Sequence, residues 1–172
     1  MYQEKKKIQS LGETDVFDKV FFSNQIIKNK EKILKSNFDF LIKKILMQYK
    51  EQGLNNQNNL FTDKSITNFL YFELINKIFP NAKFIYCKRN YVANLLGILK
   101  VFLPNLLWSH SLEKIITFME LYENNLNEIL LEKKINLKII NLESFSENPV
   151  DNSKNLFSFL GIKWNKKIID EN

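Results

Sequence analysis

The stretch FIYCKRNYVANLLGILK, residues 84–100, decides how this chain is read. A short apolar run stops at Lys88 and Arg89, and apolar residues resume at helical spacing directly after, so a strand hands over to a helix across a cationic corner. Asn90 is a good N-cap for that helix, and Pro104 ends it. Arg89 is the only arginine among 25 basic residues. Its planar guanidinium fork fits two oxygens of a phosphate or sulfate, whereas a lysine ammonium is a mobile point charge. Two readings fit this position: an anion site that needs the fork, or a solvated strand-end residue pairing with a surface carboxylate.

Outward from this corner the same alternation recurs. Residues 83–87 read as a buried strand, Leu60 to Thr62 as a shorter one ending at Asp63 and Lys64, and 136–142 as a third. Helical spacing marks residues 15–26, then 28–52, where Ile33, Leu34, Phe38, Leu41, Ile42, Ile45 and Leu46 share a face and Gly53 closes the helix. Polar LNNQNN connects onward, and Ser65 is placed to cap a helix running to Phe79. Leu112, Ile115, Ile116, Met119, Tyr122, Leu126, Ile129 and Leu130 mark one face of a long helix; residues 151–160 form a last one, closed by Gly161. Strands separated by helices of this length pair in parallel with right-handed crossovers, so the class is α/β. Ligands of such sheets bind beyond the carboxyl ends of the strands, where Lys64, Lys88 and Arg89 lie.

A chain of 172 residues suits one domain: a basic segment over 1–10, extended or frayed, then a single domain over 11–172. Apolar residues at 45% and charged at 26% exclude wholesale disorder, and a net charge of +6 favours anionic partners. Cys87 and His110 each stand alone, which leaves no material for a disulfide or a metal site, and Cys87 reads as a packing residue. The start, MYQEKKKIQS, has no signal-peptide pattern, and the longest apolar reach is broken by Asn94, Lys100, Pro104 and Asn105 before it could span a membrane. A soluble, cytoplasmic protein is expected. Gly12, Gly53, Gly97 and Gly161 are too dispersed for a Gly-rich phosphate loop. Nucleic acid is not an expected partner, because no aromatic-basic motif falls on a strand.

TDKSITNFLYFELINKIFPNAKFIYCKRN, residues 62–90, resembles the middle of sulfotransferases, especially tyrosylprotein sulfotransferases and related bacterial enzymes joined to tetratricopeptide repeats. Their D-K motif opens a helix, and a F-P-x-A-K-F-I strand then ends in an R-D or R-N corner. IINLESFSENPVDNSKNLFSFLGIKW is similar to their strand, Tyr-Glu, x-x-x-P, helix and F-L-G-I-x-W segment, and SLGETDVF to the G-E turn after their nucleotide loop. The resemblance runs from about Leu11 to Asp170. It implies a three-layer fold, a parallel sheet flanked by helices, of the P-loop nucleotide hydrolase-like, sulfotransferase type. It also implies sulfuryl transfer from 3′-phosphoadenosine 5′-phosphosulfate (PAPS) to a hydroxyl, without a metal. Arg89 would hold the 3′-phosphate, Lys64 would offset charge at the transferring group, and Glu13 would be the general base for the acceptor. Trp108, Ser109 and His110 would border the acceptor site. Protein tyrosine, a glycan or a small molecule all fit as acceptor.

Departures from the family pattern are equally specific. The serine that would be a second 3′-phosphate ligand falls on Gly97; Asn94, one turn earlier, is the candidate to supply the lost hydrogen bond. The Tyr before the glutamate falls on Leu142, and the Pro or Gly after the arginine pair on Tyr91. The P-R-S-G-T-T-type strand and loop belong just before Leu11, where only MYQEKKKIQS stands, and Lys5, Lys6 and Lys7 cannot replace a backbone nest. On this reading the fold is N-terminally incomplete, through a late start, a decayed gene, or a partner chain or oligomer that covers the missing strand. Two functions stay open: a sulfotransferase, whether active or inactive as the chain stands, or a non-catalytic anion- and nucleotide-binding module or truncated remnant.

Overall fold

Two pairs of parallel strands organise the computed structural model, which describes residues 8–23, 38–55, 60–101, 103–131 and 135–166. The chain divides into two compact units, residues 1–80 and 81–172. In the first, β1 (Ile8–Ser10) lies parallel to β2 (Leu60–Thr62), with Ile8 opposite Leu60 and Ser10 opposite Thr62. Between them in sequence run α1 (Val16–Ser23) and α2 (Asp39–Glu51). A 3₁₀ segment (Ile66–Tyr71) and α3 (Phe72–Ile78) follow β2.

The core of this unit follows from helical periodicity. Val16, Phe17, Val20 and Phe21 fall on one face of α1 and are buried, as are Leu41, Ile45 and Tyr49 at four-residue spacing on α2. Phe17 meets Tyr49 edge-on at 5.9 Å, Phe21 approaches Tyr71 at 5.1 Å, and Tyr49 reaches Phe61 of β2 at 4.8 Å. Each side chain fully buried in this way contributes about 1.5–3 kcal/mol. Two hydrogen bonds to Asp18, from Thr67 at 2.8 Å and from Tyr71 at 2.5 Å, fasten α1 to the 3₁₀ segment.

In the second unit β3 (Phe84–Lys88) lies parallel to β4 (Leu137–Asn141), from Phe84 opposite Leu137 to Lys88 opposite Asn141. After β3 come α4 (Tyr91–Lys100), a 3₁₀ turn (Leu107–His110) and α5 (Leu112–Leu131); after β4 come α6 (Leu142–Glu147) and α7 (Pro149–Leu160). Tyr86 of β3 is buried, donates to Glu123 at 2.8 Å and packs on Tyr122, while Ile115, Met119 and Leu126 of α5 are buried at helical spacing. Proline at the first turn of α7 and left-handed Gly161 after its end delimit that helix. Among the described residues no helix is long and apolar enough to cross a membrane.

Several expectations are corrected. The strand read over 83–87 is not buried: Tyr86 occupies the covered side, but Ile85 is 40% exposed and the Cys87 thiol, expected to pack, is exposed, because alternate residues face the other way. The single helix after Ser65 is a 3₁₀ segment followed by α3, and Ser65 makes no side-chain cap because its hydroxyl is engaged elsewhere. The third strand stops at Asn141, whose side chain caps the unforeseen α6 through the Ser144 amide at 2.9 Å. Leu112 and Leu130, at the two ends of α5, are exposed. Residues 24–37 of the two N-terminal helices, 56–59 of the connector and Lys5, Lys6 and Lys7 lie outside the described residues.

Candidate functional site

Beyond β1 and β2 the ladder continues for two more bonds. The Leu11 amide donates to Thr62 O at 3.0 Å and the Lys64 amide to Gly12 O at 2.9 Å. Gly12 turns the chain here with φ +69°, a conformation that disfavours side chains. These bonds bring two of the expected site residues together: Glu13 Oε1 and Lys64 Nζ stand 3.9 Å apart. Both side chains are open to solvent, 76% and 71% exposed. A pair this exposed contributes about 0–1 kcal/mol, too little to hold two loops by itself.

The groups that hold them lie one residue away. Asp63 Oδ2 accepts from Thr14 Oγ1 at 2.8 Å and from the Tyr49 hydroxyl at 2.7 Å. Its Oδ1 accepts from the Ser65 amide at 3.0 Å, the local Asx arrangement, and lies 2.6 Å from Ser65 Oγ. Ser65 Oγ accepts from the Thr14 amide at 2.8 Å and also reaches the Thr14 carbonyl. Burial alone would raise the pKa of Asp63, but the Ser65 hydroxyl, Tyr49, the Ser65 amide and Thr14 together hold it below the ordinary carboxylate value. Burial and the Asp63 charge push the Tyr49 phenol up, so it remains a donor.

In the second unit Arg89 is exposed immediately after β3, with Asn90 capping α4 through the Ala93 amide at 3.0 Å. Glu143, at the start of α6, accepts from the Asn90 amide at 2.9 Å. That amide, then the backbone amide of Glu143 itself, and to a lesser degree the Arg89 charge, hold Glu143 below its usual value. No carboxylate among the described residues lies within ion-pair distance of Arg89. Its Nη1 lies 3.6 Å from where a Cβ on Gly97 would be, so the guanidinium lies close over α4 at that residue. Asn94 is exposed on the same helix, one turn before Gly97. Trp108 stacks on Phe118 at 3.9 Å, beside a groove of about 340 Å³ that Glu113, Thr117 and Leu121 also line. Ser109 is buried and donates to Leu106 O, while a ring nitrogen of exposed His110 lies 3.0 Å from Leu103 O.

Thr14, Tyr49, Asp63, Ser65 and Glu143 were given no site role from the sequence, although Asp63 and Glu143 fall in the D-K and Tyr-Glu motifs and Ser65 was read as a helix cap. Asp63 two residues before Ser65 is the signature of an Asx turn and was legible; the Tyr49 partner, 14 residues away, was not.

Parallel strand pairs whose β2 and β3 exits carry Lys64, Lys88 and Arg89, with the Glu13 carboxylate beside Lys64, define an α/β protein with cations at the carboxyl ends of its strands. The chain belongs to the sulfotransferase family, whose model matches residues 9–166. No curated protein and no solved structure matches it.

Proposed function

We propose that this chain is a sulfotransferase that takes a sulfuryl group from PAPS and passes it to a hydroxyl acceptor in the cytoplasm. On this reading residues 11–172 work as one domain with a three-layer, P-loop nucleotide hydrolase-like sheet. PAPS supplies the activated sulfuryl group. Arg89 binds its 3′-phosphate, and an exposed guanidinium with no carboxylate in ion-pair range among the described residues fits that task. Asn94 adds a polar group one turn before Gly97, where the α4 backbone is unobstructed by a side chain. Lys64 offsets negative charge on the transferring group, and Glu13 accepts the proton of the acceptor hydroxyl.

The observation that carries this reading is the 3.9 Å approach of Glu13 and Lys64, a base beside a cation at the carboxyl edge of a parallel strand pair. Protein tyrosine, a glycan and a small molecule are the acceptor classes to try.

Calorimetric titration with 3′,5′-adenosine bisphosphate is the direct test. Micromolar binding that weakens at least tenfold in Arg89→Ala is expected, together with transfer from labelled PAPS that Glu13→Gln reduces by two orders of magnitude or more, as about 10²–10⁴ is typical of a positioned base. Binding without transfer to any acceptor class would make the chain a nucleotide-binding module instead, and no binding at low salt would remove both readings.

A further inference from the structure

We infer that Asp63 is a positioning residue: its carboxylate clips the two strand-exit loops together and so sets the geometry of Glu13 and Lys64. This rests on the catalytic reading of that pair, but the clip itself can be tested without it.

Three donors converge on one carboxylate, the Thr14 hydroxyl, the Ser65 amide and the Tyr49 phenol, with the Ser65 hydroxyl within reach as a fourth. They come from three separate stretches of chain. Thr14 adjoins Glu13 on the loop after β1, Asp63 and Ser65 flank Lys64 on the loop after β2, and Tyr49 comes from the buried face of α2. The carboxylate therefore joins the base's loop to the cation's loop and anchors both to the core. An ion pair as exposed as Glu13 and Lys64 does not fix its own geometry. The Ser65 hydroxyl has one proton and two acceptors within reach, Asp63 Oδ1 and the Thr14 carbonyl; because its oxygen also accepts from the Thr14 amide, it joins the loops whichever it serves. Tyr49 stays protonated, so its hydroxyl donates to the ionised Asp63 carboxylate.

The role is one of alignment, and its consequences are distinct from those of lost stability. In the full-length chain, hydrogen exchange should show the Lys64 amide, bonded to Gly12, and the Thr14 amide, bonded to Ser65, protected at neutral pH. Asp63→Asn should lower protection at these two amides at least tenfold while leaving the α3 amide of Ile78 unchanged. Tyr49→Phe and Thr14→Val should give smaller losses at the same two amides, and Thr14→Ser, which retains the hydroxyl, should restore wild-type protection. In sulfuryl transfer, Asp63→Asn should lower kcat at least tenfold with the donor KM within about threefold, and this loss should vanish in a Glu13→Gln background.

Unchanged protection at Lys64 and Thr14 in Asp63→Asn would overturn the inference. So would a loss spread equally to Ile78, or a kcat loss that multiplies with Glu13→Gln. Exchange needs neither donor nor turnover, so the two ideas fail separately: a chain that binds no nucleotide but keeps Asp63-dependent protection refutes the sulfotransferase reading and leaves the clip standing.

Discussion

Gly97 leaves the α4 backbone open beside Arg89. It sits inside α4, where glycine costs about 0.5–1 kcal/mol against alanine, and the guanidinium of Arg89 lies 3.6 Å from the vacant Cβ position. That separation is an ordinary contact, so a methyl group fits without displacing the arginine. Gly97→Ala should therefore stabilise the chain by about 0.5–1 kcal/mol in urea titrations, recovering the helix propensity alone. Gly97→Ser places a hydroxyl beside the guanidinium and should tighten 3′,5′-adenosine bisphosphate several-fold; unchanged or weaker binding would separate this residue from the anion site. Arg89→Lys keeps the charge but loses the fork, and an affinity loss of about tenfold, as for one lost charge-assisted hydrogen bond, is the expected result. Arg89 and Gly97 were both conspicuous in the sequence, one as a sole arginine and the other as a glycine within a helical pattern. The bond from the Asn90 amide to Glu143 was not: 53 residues separate them, and the β3–β4 pairing brings their strand ends together.

The strand-exit loops carry a pH dependence whose direction follows from Asp63. Its carboxyl is held below the ordinary value in the folded state, so its contribution is fully present above the unfolded value, about 3.9. That contribution disappears as pH falls through the lower folded value. Unfolding free energy should drop as pH falls below about 4 in the wild type, and Asp63→Asn should flatten this limb while costing about 1–3 kcal/mol at neutral pH from stranded donors. A wild-type acid limb that persists unchanged in the variant would show that other carboxylates cause it. Elements differ sharply in how far they were readable. The α5 stripe and the caps at Asn90 and Gly161 follow from periodicity and local chemistry, and the helix and both caps appear as expected. β1 is three residues long and gives no alternation to detect; its existence depends on pairing with β2. Ser65 misled for a physical reason, because the chemistry that makes serine a cap also suits it to an Asx turn, and its hydroxyl is engaged by Asp63 and the Thr14 backbone.

At the scale of the whole chain, the buried apolar side chains are unevenly shared. Among the described residues most lie in residues 1–80, in α1, α2 and α3, whereas Tyr86, Ile115, Met119 and Leu126 are those beyond. In residues 81–172 many large apolar side chains stay open, among them Val92, Leu96 and Leu99 on α4 and Ile139 on β4. Stability scales with apolar area removed from water, so the second unit should open first. Both tryptophans, Trp108 and Trp164, belong to it: the first stacks on Phe118, and the second donates to Ser153 at 2.8 Å. Tryptophan fluorescence therefore reports that unit, while far-ultraviolet circular dichroism averages over helices of both. In urea the fluorescence midpoint should precede the dichroism midpoint, and coincident transitions would show instead that the chain unfolds as one cooperative body. A ligand gripped by Arg89 must act on the earlier transition, since binding stabilises the unit that holds it. At a hundredfold excess over its dissociation constant, 3′,5′-adenosine bisphosphate should add about 2.7 kcal/mol to the fluorescence transition, and Arg89→Ala should abolish most of that gain. A shift confined to the dichroism signal would place the nucleotide in the first unit, with Lys64 as its anchor.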